Sequence, residues 1–349
     1  MMCMQEDGFP AVEDIKRDQE FWYPDGNIIV ITDDQIAFRI YRGMLAEHSE
    51  VFRGMFTVPQ PQSSERMDDC PIVHVSDASN DFRRILRFVF RGRNHYRDTD
   101  VLAFSEVAAL IRIGHKYEVE GLVSMGRKRL RDVWPDSFEA WMARPAVKQE
   151  DRADCVVAVK LARLIGLDAI LPAALYDCCQ LETRTLLDGV SYPDGTVERL
   201  DIDDLTRCFD GRRGLSKAKA ATLNAVFTIP ADRLFKFGLL EKPEERCLDT
   251  TRCKNVLQEL RNSTDLQAWH IRESALMSWP SAIKLDMSLT EVSSSHSTYL
   301  QLCAHCKRKV ETNDKRERTE IWAKLPSIFD LIVEGRNTNQ SRVVRKFYG

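Results

Sequence analysis

Between residues 38 and 56 the chain changes from one hydrophobic period to another. Phe38 and Ile40 alternate with polar Arg39, the period of a half-buried strand, while Met44 and Leu45, then Val51, Phe52, Met55 and Phe56, recur at helical spacing. The pattern predicts the end of a strand followed by two short helices. Ser49 stands where the second helix needs an N-cap, its hydroxyl able to accept a free backbone N–H. Upstream, the turn signal Pro24-Asp25-Gly26 feeds NIIVIT, and Asp33-Asp34 separates it from QIAFRIY, so the two apolar runs read as a hairpin. Downstream, VPQPQSSERMDDCP reads as an exposed loop and IVHV as a short buried strand.

Three helices are predicted next. Ser79 or Asn80 can cap the first, in which Phe82, Ile85, Leu86, Val89 and Phe90 face inward while Arg83, Arg84, Arg87 and Arg91 form a solvated face. No aromatic residues alternate with these arginines, which argues against a nucleic-acid surface. The second helix gathers Val107, Leu110, Ile111 and Gly114 on one side. The third uses Val119, Leu122, Val123, Leu130 and Val133 and ends at Trp134-Pro135, because proline disfavours helical geometry in the residue before it.

The phrase FRIYRGMLAEHSEVFRGMF resembles the core of the BTB/POZ domain, F-x-x-H-[RK]-x-x-L-x-x-x-S-x-x-F-x-x-[ML]-F. The slots are filled by Phe38, Arg42, Leu45, Ser49, Phe52, Met55 and Phe56, with Tyr41 in place of the usual His. About seventy residues later HKYEVEGLVSMGRKRL is similar to a late phrase of the same family, matching at Lys116, Tyr117, Leu122 and Leu130, with Gly126 in place of a small Cys. FWYPDGNIIVIT and CPIVHVSD look closest to the large fungal branch of the family. The resemblance implies an α+β fold, a small mixed sheet with packed helices, followed by a mostly α-helical C-terminal region. It also implies protein–protein interaction through a homodimer in which the first strand and first helices meet the partner. The corresponding residues are Phe21, Trp22, Tyr23 and Met44, with Asp25 and Arg42 at positions that often carry a buried charged pair. For Phe21, Trp22 and Tyr23 the alternative is burial within the chain. Two narrower roles compete with a homodimeric scaffold. A substrate adaptor of a cullin-type ubiquitin ligase would carry an apolar-x-Glu phrase in the loop after Phe56, where the nearest fit, starting at Val58, puts Gln60 in the Glu position. A transcription or chromatin factor would need a DNA-binding module, and neither paired zinc-finger spacing nor a basic helix with zipper heptads is present.

Beyond Pro135 the motifs thin out. Val156, Val157, Val159, Ala162 and Leu164 predict a helix over 153–164, and 171–181 continues in helical pattern after Pro172. YPDG marks a loop at 192–195, and 203–209 and 216–227 read as short helices closed by Ile229-Pro230. The basic turn GRRG between them is similar to the loop with which KH domains clamp a nucleic-acid backbone; the plainer reading is a turn before a helix. Further helices follow, ending in an ordered LPSIFDL and a polar, basic tail. The expected organisation is a mobile tail over 1–18, a BTB/POZ domain over 19–135, a helical region over 136–230 and a helical C-terminal region over 231–349.

Composition narrows the functional classes. Among 349 residues, 50 are basic and 53 acidic, a formal net charge of -3, so no global field draws the chain to nucleic acid or to an anionic membrane. The first ten residues lack a basic, apolar leader, and no uninterrupted apolar run of about 18 residues occurs. An intracellular protein of the cytoplasm or nucleus is expected, whose ten cysteines are thiols or metal ligands. No nucleophile elbow, P-loop, HExxH or dinucleotide fingerprint is found, so catalysis is not expected. No cofactor is implied, with one exception. Cys303 and Cys306 form the single C-x-x-C of the chain, and Cys247 and Cys253 lie some fifty residues earlier; two such pairs can close a structural zinc site, the alternative being small buried core residues.

Overall fold

The computed structural model describes residues 15–58, 65–92, 95–96, 102–145, 151–191, 197–229, 247, 249–263, 274–285 and 301–333. The chain divides into two units, Met1–Val133 with Leu161–Leu167, and Trp134–Lys160 with Asp168–Gly349.

The first unit is a five-stranded mixed sheet with helices against it. Its strands are β1 (Lys16–Trp22), β2 (Ile28–Ile31), β3 (Ile36–Ile40), β4 (Arg66–Met67) and β5 (Cys70–His74), in the order β1-β3-β2-β5-β4. The helices are α1 (Arg42–His48), α2 (Glu50–Thr57), α3 (Ser79–Arg91), α4 (Phe104–Lys116) and α5 (Glu120–Val133). The hairpin read from NIIVIT and QIAFRIY is the antiparallel β2–β3 pair, in which Val30 lies opposite Phe38. β2 is buried on both faces, which is why its four residues are all apolar. Ile28 and Val30 join Phe38, Ile40, Leu45, Phe52, Phe82 and Leu122 in the main core, while Ile29 and Ile31 join Ala37 and Cys70 on the other face.

Ser49 caps α2 as its position implies, accepting from the Phe52 backbone N–H at 3.1 Å. The same hydroxyl donates to the Tyr117 carbonyl at 2.6 Å and so ties α2 to the end of α4. Phe52 stacks face to face on Tyr117 with ring centroids 4.9 Å apart. The two family-like phrases therefore meet in space through a hydrogen bond and a ring stack.

Three expectations for this unit need correction. Order begins before Phe21: β1 starts at Lys16, inside the stretch read as tail, and pairs in parallel with β3. What holds it is charge. Asp18, 5% exposed, accepts from the backbone N–H groups of Glu20 and Phe21 and pairs with Arg83 at 2.7 Å, while Glu20 pairs with Arg87 and Arg91 at 2.7 Å each. The arginine face of α3 is accordingly a clamp on β1 and on Glu106, which Arg84 reaches at 2.7 Å, rather than a merely solvated surface. The Arg87 hydrogen bond leads the effects that hold the Glu20 carboxyl below its ordinary pKa. Finally, α3 is not capped by Ser79 or Asn80. Ala78 is its N-cap, and Ser79 bonds through its N–H and hydroxyl to Asp34 at 2.9 and 2.7 Å.

The second unit is mostly helical: α6 (Phe138–Ala143), α7 (Asp154–Leu164, whose last turn counts with the first unit), α8 (Leu171–Cys178), α9 (Thr183–Asp188), α10 (Ile202–Val226), α11 (Thr250–Asn262), α12 (Trp279–Leu285) and α13 (Ala304–Ile328), with a two-stranded ribbon of β6 (Val190–Ser191) and β7 (Val197–Glu198). The two short helices expected at 203–209 and 216–227 are one continuous 25-residue helix, α10. GRRG lies inside it and is no nucleic-acid loop. Gly211 is small because Phe329 packs there: a Cβ would sit 2.4 Å from the Phe329 ring. α10 packs along α13, and Trp279, 1% exposed, is held by Asp314 of α13 and Thr222 of α10 at 2.9 and 2.8 Å. Residues on either side of position 230, expected to separate two regions, share this core.

Candidate functional site

The residues expected at a partner surface collect where β1 ends and α1 begins. Phe21 departs from that expectation: it is 0% exposed, packed on Phe90 with Arg91 above its ring, and belongs to the core of the chain. The alternation of β1 then sends Trp22 to the opposite face of the sheet, where it is half-buried beside Ile29 and Ala37 with Arg17 stacked 4.6 Å from its ring. Tyr23 and Met44 lie half-buried against the main core. Asp25 and Arg42 are exposed and take different partners within the chain. Asp25 accepts from the Tyr41 hydroxyl at 2.6 Å; Arg42 donates its backbone N–H to Asn27 at 2.8 Å, and its guanidinium bonds the Phe56 carbonyl and covers the Phe56 ring.

Tyr41 is the residue that the sequence reading undervalued. It stands where a His is usual, packs on Tyr23 with centroids 5.2 Å apart, and binds Asp25. That hydrogen bond is the main cause raising its phenol pKa. The signal for it was the departure from the family phrase. Val58, at the end of α2, is 60% exposed; the residues that would complete an apolar-x-Glu motif, 59–64, lie outside the described residues.

In the second unit the four cysteines of interest converge. Cys303 is the N-cap of α13 and Cys306 its third residue, which puts both on one side of the first turn. Cys253 lies in the first turn and a half of α11, capped by Asp249, and Cys247 precedes that cap by two residues. All four Sγ atoms lie within 4.8 Å of one another, and those of Cys247 and Cys303 are 3.8 Å apart. Cys247, Cys253 and Cys306 are buried and Cys303 is half-buried, under Leu257, Leu260, Trp279 and Leu302. Burial pushes the Cys247 thiol up to about 12 and Cys306 higher still. The other cysteine-rich spot is different. Cys155, Cys178, Cys179 and Cys208 are buried among helices, and Cys179 donates to the Cys208 carbonyl at 3.3 Å.

The second unit also holds a cavity of about 570 Å³ lined by Trp134, Trp141, Arg144, Tyr176, Asp177 and Met277, among others. Two of its charged groups are engaged with each other: Arg144 bonds both oxygens of Asp177 at 2.9 and 3.0 Å, Trp134 donates to the same carboxylate at 3.0 Å, and the guanidinium lies 3.2 Å from the Trp141 ring centroid, while Asp151 and Arg152 also line the cavity. The Arg144–Asp177 pair braces this corner of the unit. No described helix is long and apolar enough to cross a membrane.

Comparison with family models matches residues 25–132 to the BTB/POZ domain. No curated protein matches the chain.

Proposed function

From its BTB/POZ domain, which makes this chain a BTB/POZ-domain protein over residues 25–132, we propose that it works as a homodimeric scaffold for protein–protein interaction. Such domains are interaction modules and commonly dimerise. What carries the homodimer reading is the edge of the sheet. β1 is an outer strand of the domain, and an edge strand offers unpaired backbone groups that a second chain can meet. Half-buried Trp22 stands on one face of that edge and half-buried Tyr23 and Met44 on the other, with exposed Asp25 and Arg42 beside them, a mixture of apolar and polar groups of the kind that interfaces use. Phe21 belongs to the core against which Tyr23 and Met44 pack.

Light scattering on the full chain at tens of micromolar tests the proposal. The expected mass is twice 40.1 kDa, falling to one chain in the double variant Trp22→Arg, Met44→Glu with its circular dichroism unchanged. A wild-type monomer at that concentration refutes it. A dimer that survives the double variant leaves self-association in place and moves it off this surface.

A further inference from the structure

We propose that Cys247, Cys253, Cys303 and Cys306 form a structural zinc site that joins the start of α11 to the start of α13. Four sulfurs about 2.3 Å from one ion at tetrahedral angles lie about 3.8 Å apart. The Cys247–Cys303 separation is 3.8 Å, and the whole set lies within 4.8 Å, so small side-chain rotations complete the tetrahedron. The distances fit one ion. They leave a gap too wide for an S–S bond, and none of the four residues is in a disulfide.

The chemistry around the sulfurs fits the same ion. A zinc tetrathiolate carries two negative charges. It would lie at the N-termini of two helices, α11 and α13, where unpaired backbone N–H groups favour negative charge. Arg252 and Lys254 flank Cys253, and Lys307, Arg308 and Lys309 follow Cys306, so both ligand pairs stand in basic stretches of sequence. Soft thiolates select Zn²⁺ over the hard divalent cations. With four protein ligands and an apolar surround that includes Trp279 and Leu302, there is no open position for substrate, so the site is structural. The contrast within the chain supports this: among the described residues, this is the one group of cysteines whose sulfurs all lie within 4.8 Å of one another.

Elemental analysis of the full chain, purified without chelator from zinc-supplemented cells, tests the proposal. It predicts one equivalent of zinc, lost in Cys303→Ser and in Cys306→Ser and retained in Cys155→Ser, whose buried hydroxyl can keep the bond to the Arg152 carbonyl. Should the two ligand variants fail to fold, the wild type still decides. Removal of the metal and addition of Co²⁺ should give the intense ligand-field bands and sulfur-to-cobalt charge transfer of a tetrahedral thiolate site. Wild-type protein without metal, a Cys247–Cys303 disulfide in its place, cobalt bound without charge transfer from sulfur, or zinc retained in both ligand variants would each overturn the assignment.

Discussion

Ser49→Ala removes one oxygen atom and two connections. The Ser49 side chain is buried, accepts from the Phe52 N–H at 3.1 Å and donates to the Tyr117 carbonyl at 2.6 Å. Loss of the cap costs about 1 kcal/mol. The Tyr117 carbonyl, buried in the same place, then has no hydroxyl to accept from, and stranding such a group costs about 1–3 kcal/mol. Because both terms pass through one hydroxyl they overlap, and a total of about 2–3 kcal/mol is expected, against the roughly 5–15 kcal/mol that holds a typical fold. Hydrogen exchange by mass spectrometry on the full chain reads this unit separately from the helical one. At about 1.4 kcal/mol per tenfold, amides of β2 and β3 that exchange by global opening should exchange roughly 30- to 140-fold faster. Ser49→Thr, which returns the hydroxyl, should recover most of that protection. If β2 and β3 in Ser49→Ala exchange within about twofold of wild type, the hydroxyl does not hold α2 to α4, and the reasoning from these two bonds fails.

Three further outcomes follow from the same unit. Gly54 in α2 has open space within 4 Å of where an added Cβ would stand, so Gly54→Ala should stabilise by about 0.5–1 kcal/mol through helix propensity; in Gly126→Ala the new methyl meets Ile111 at 2.1 Å and the sign should reverse, by about 1–3 kcal/mol, in parallel urea titrations. Glu20 has a folded-state pKa below its ordinary 4.5, so its contribution to stability is complete above that value and is lost as the pH falls through the lower folded value. Glu20→Gln should therefore flatten the acid limb of the melting-temperature profile, and an unchanged limb would show that the Arg87 and Arg91 pairing does not stabilise β1.

Much of the first unit was legible because its core is written in local periods. The β2–β3 hairpin and α3, α4 and α5 follow the spacing of apolar residues, and Ser49 could be named as a cap from its position alone. β1 could not. KRDQEFW offers only Phe21 and Trp22 as apolar residues, and the strand is fixed by Asp18 and Glu20 against arginines more than sixty residues downstream. A sequence window sees those acids as a polar tail and those arginines as a wet face, although each explains the other. The break expected in α10 has a related cause. Gly211 and Gly214 each cost about 1 kcal/mol of helix propensity in isolation, but they stand where Phe329 and Ile328 approach, and that packing continues the helix through them.

The cysteine cluster shows where local reading stops for a different reason. Cys303 and Cys306 announce themselves by spacing, whereas Cys247 and Cys253 are set more widely than a compact ligand pair, and about fifty residues separate the pairs. Their convergence depends on α11 and α13 both beginning at one edge of the core formed by Leu223, Val226, Trp279 and Val310. Holding a loop of that length closed is not costly, since each doubling of a flexible loop adds only about 0.6 kcal/mol of closure entropy. The discriminating cost is in the burial. Three of the four thiols lie in apolar surroundings, where a thiolate without a counter-charge is strongly disfavoured. Four sulfurs gathered in such a place are therefore either neutral core atoms or ligands of a cation that reverses the balance, because a metal deprotonates the thiols it binds. What favours the second reading is geometry: all four sulfurs lie within 4.8 Å of one another at the starts of two helices, where backbone N–H groups favour negative charge. That convergence is the ground on which the zinc proposal stands, and the metal content of the wild-type chain decides between the two readings.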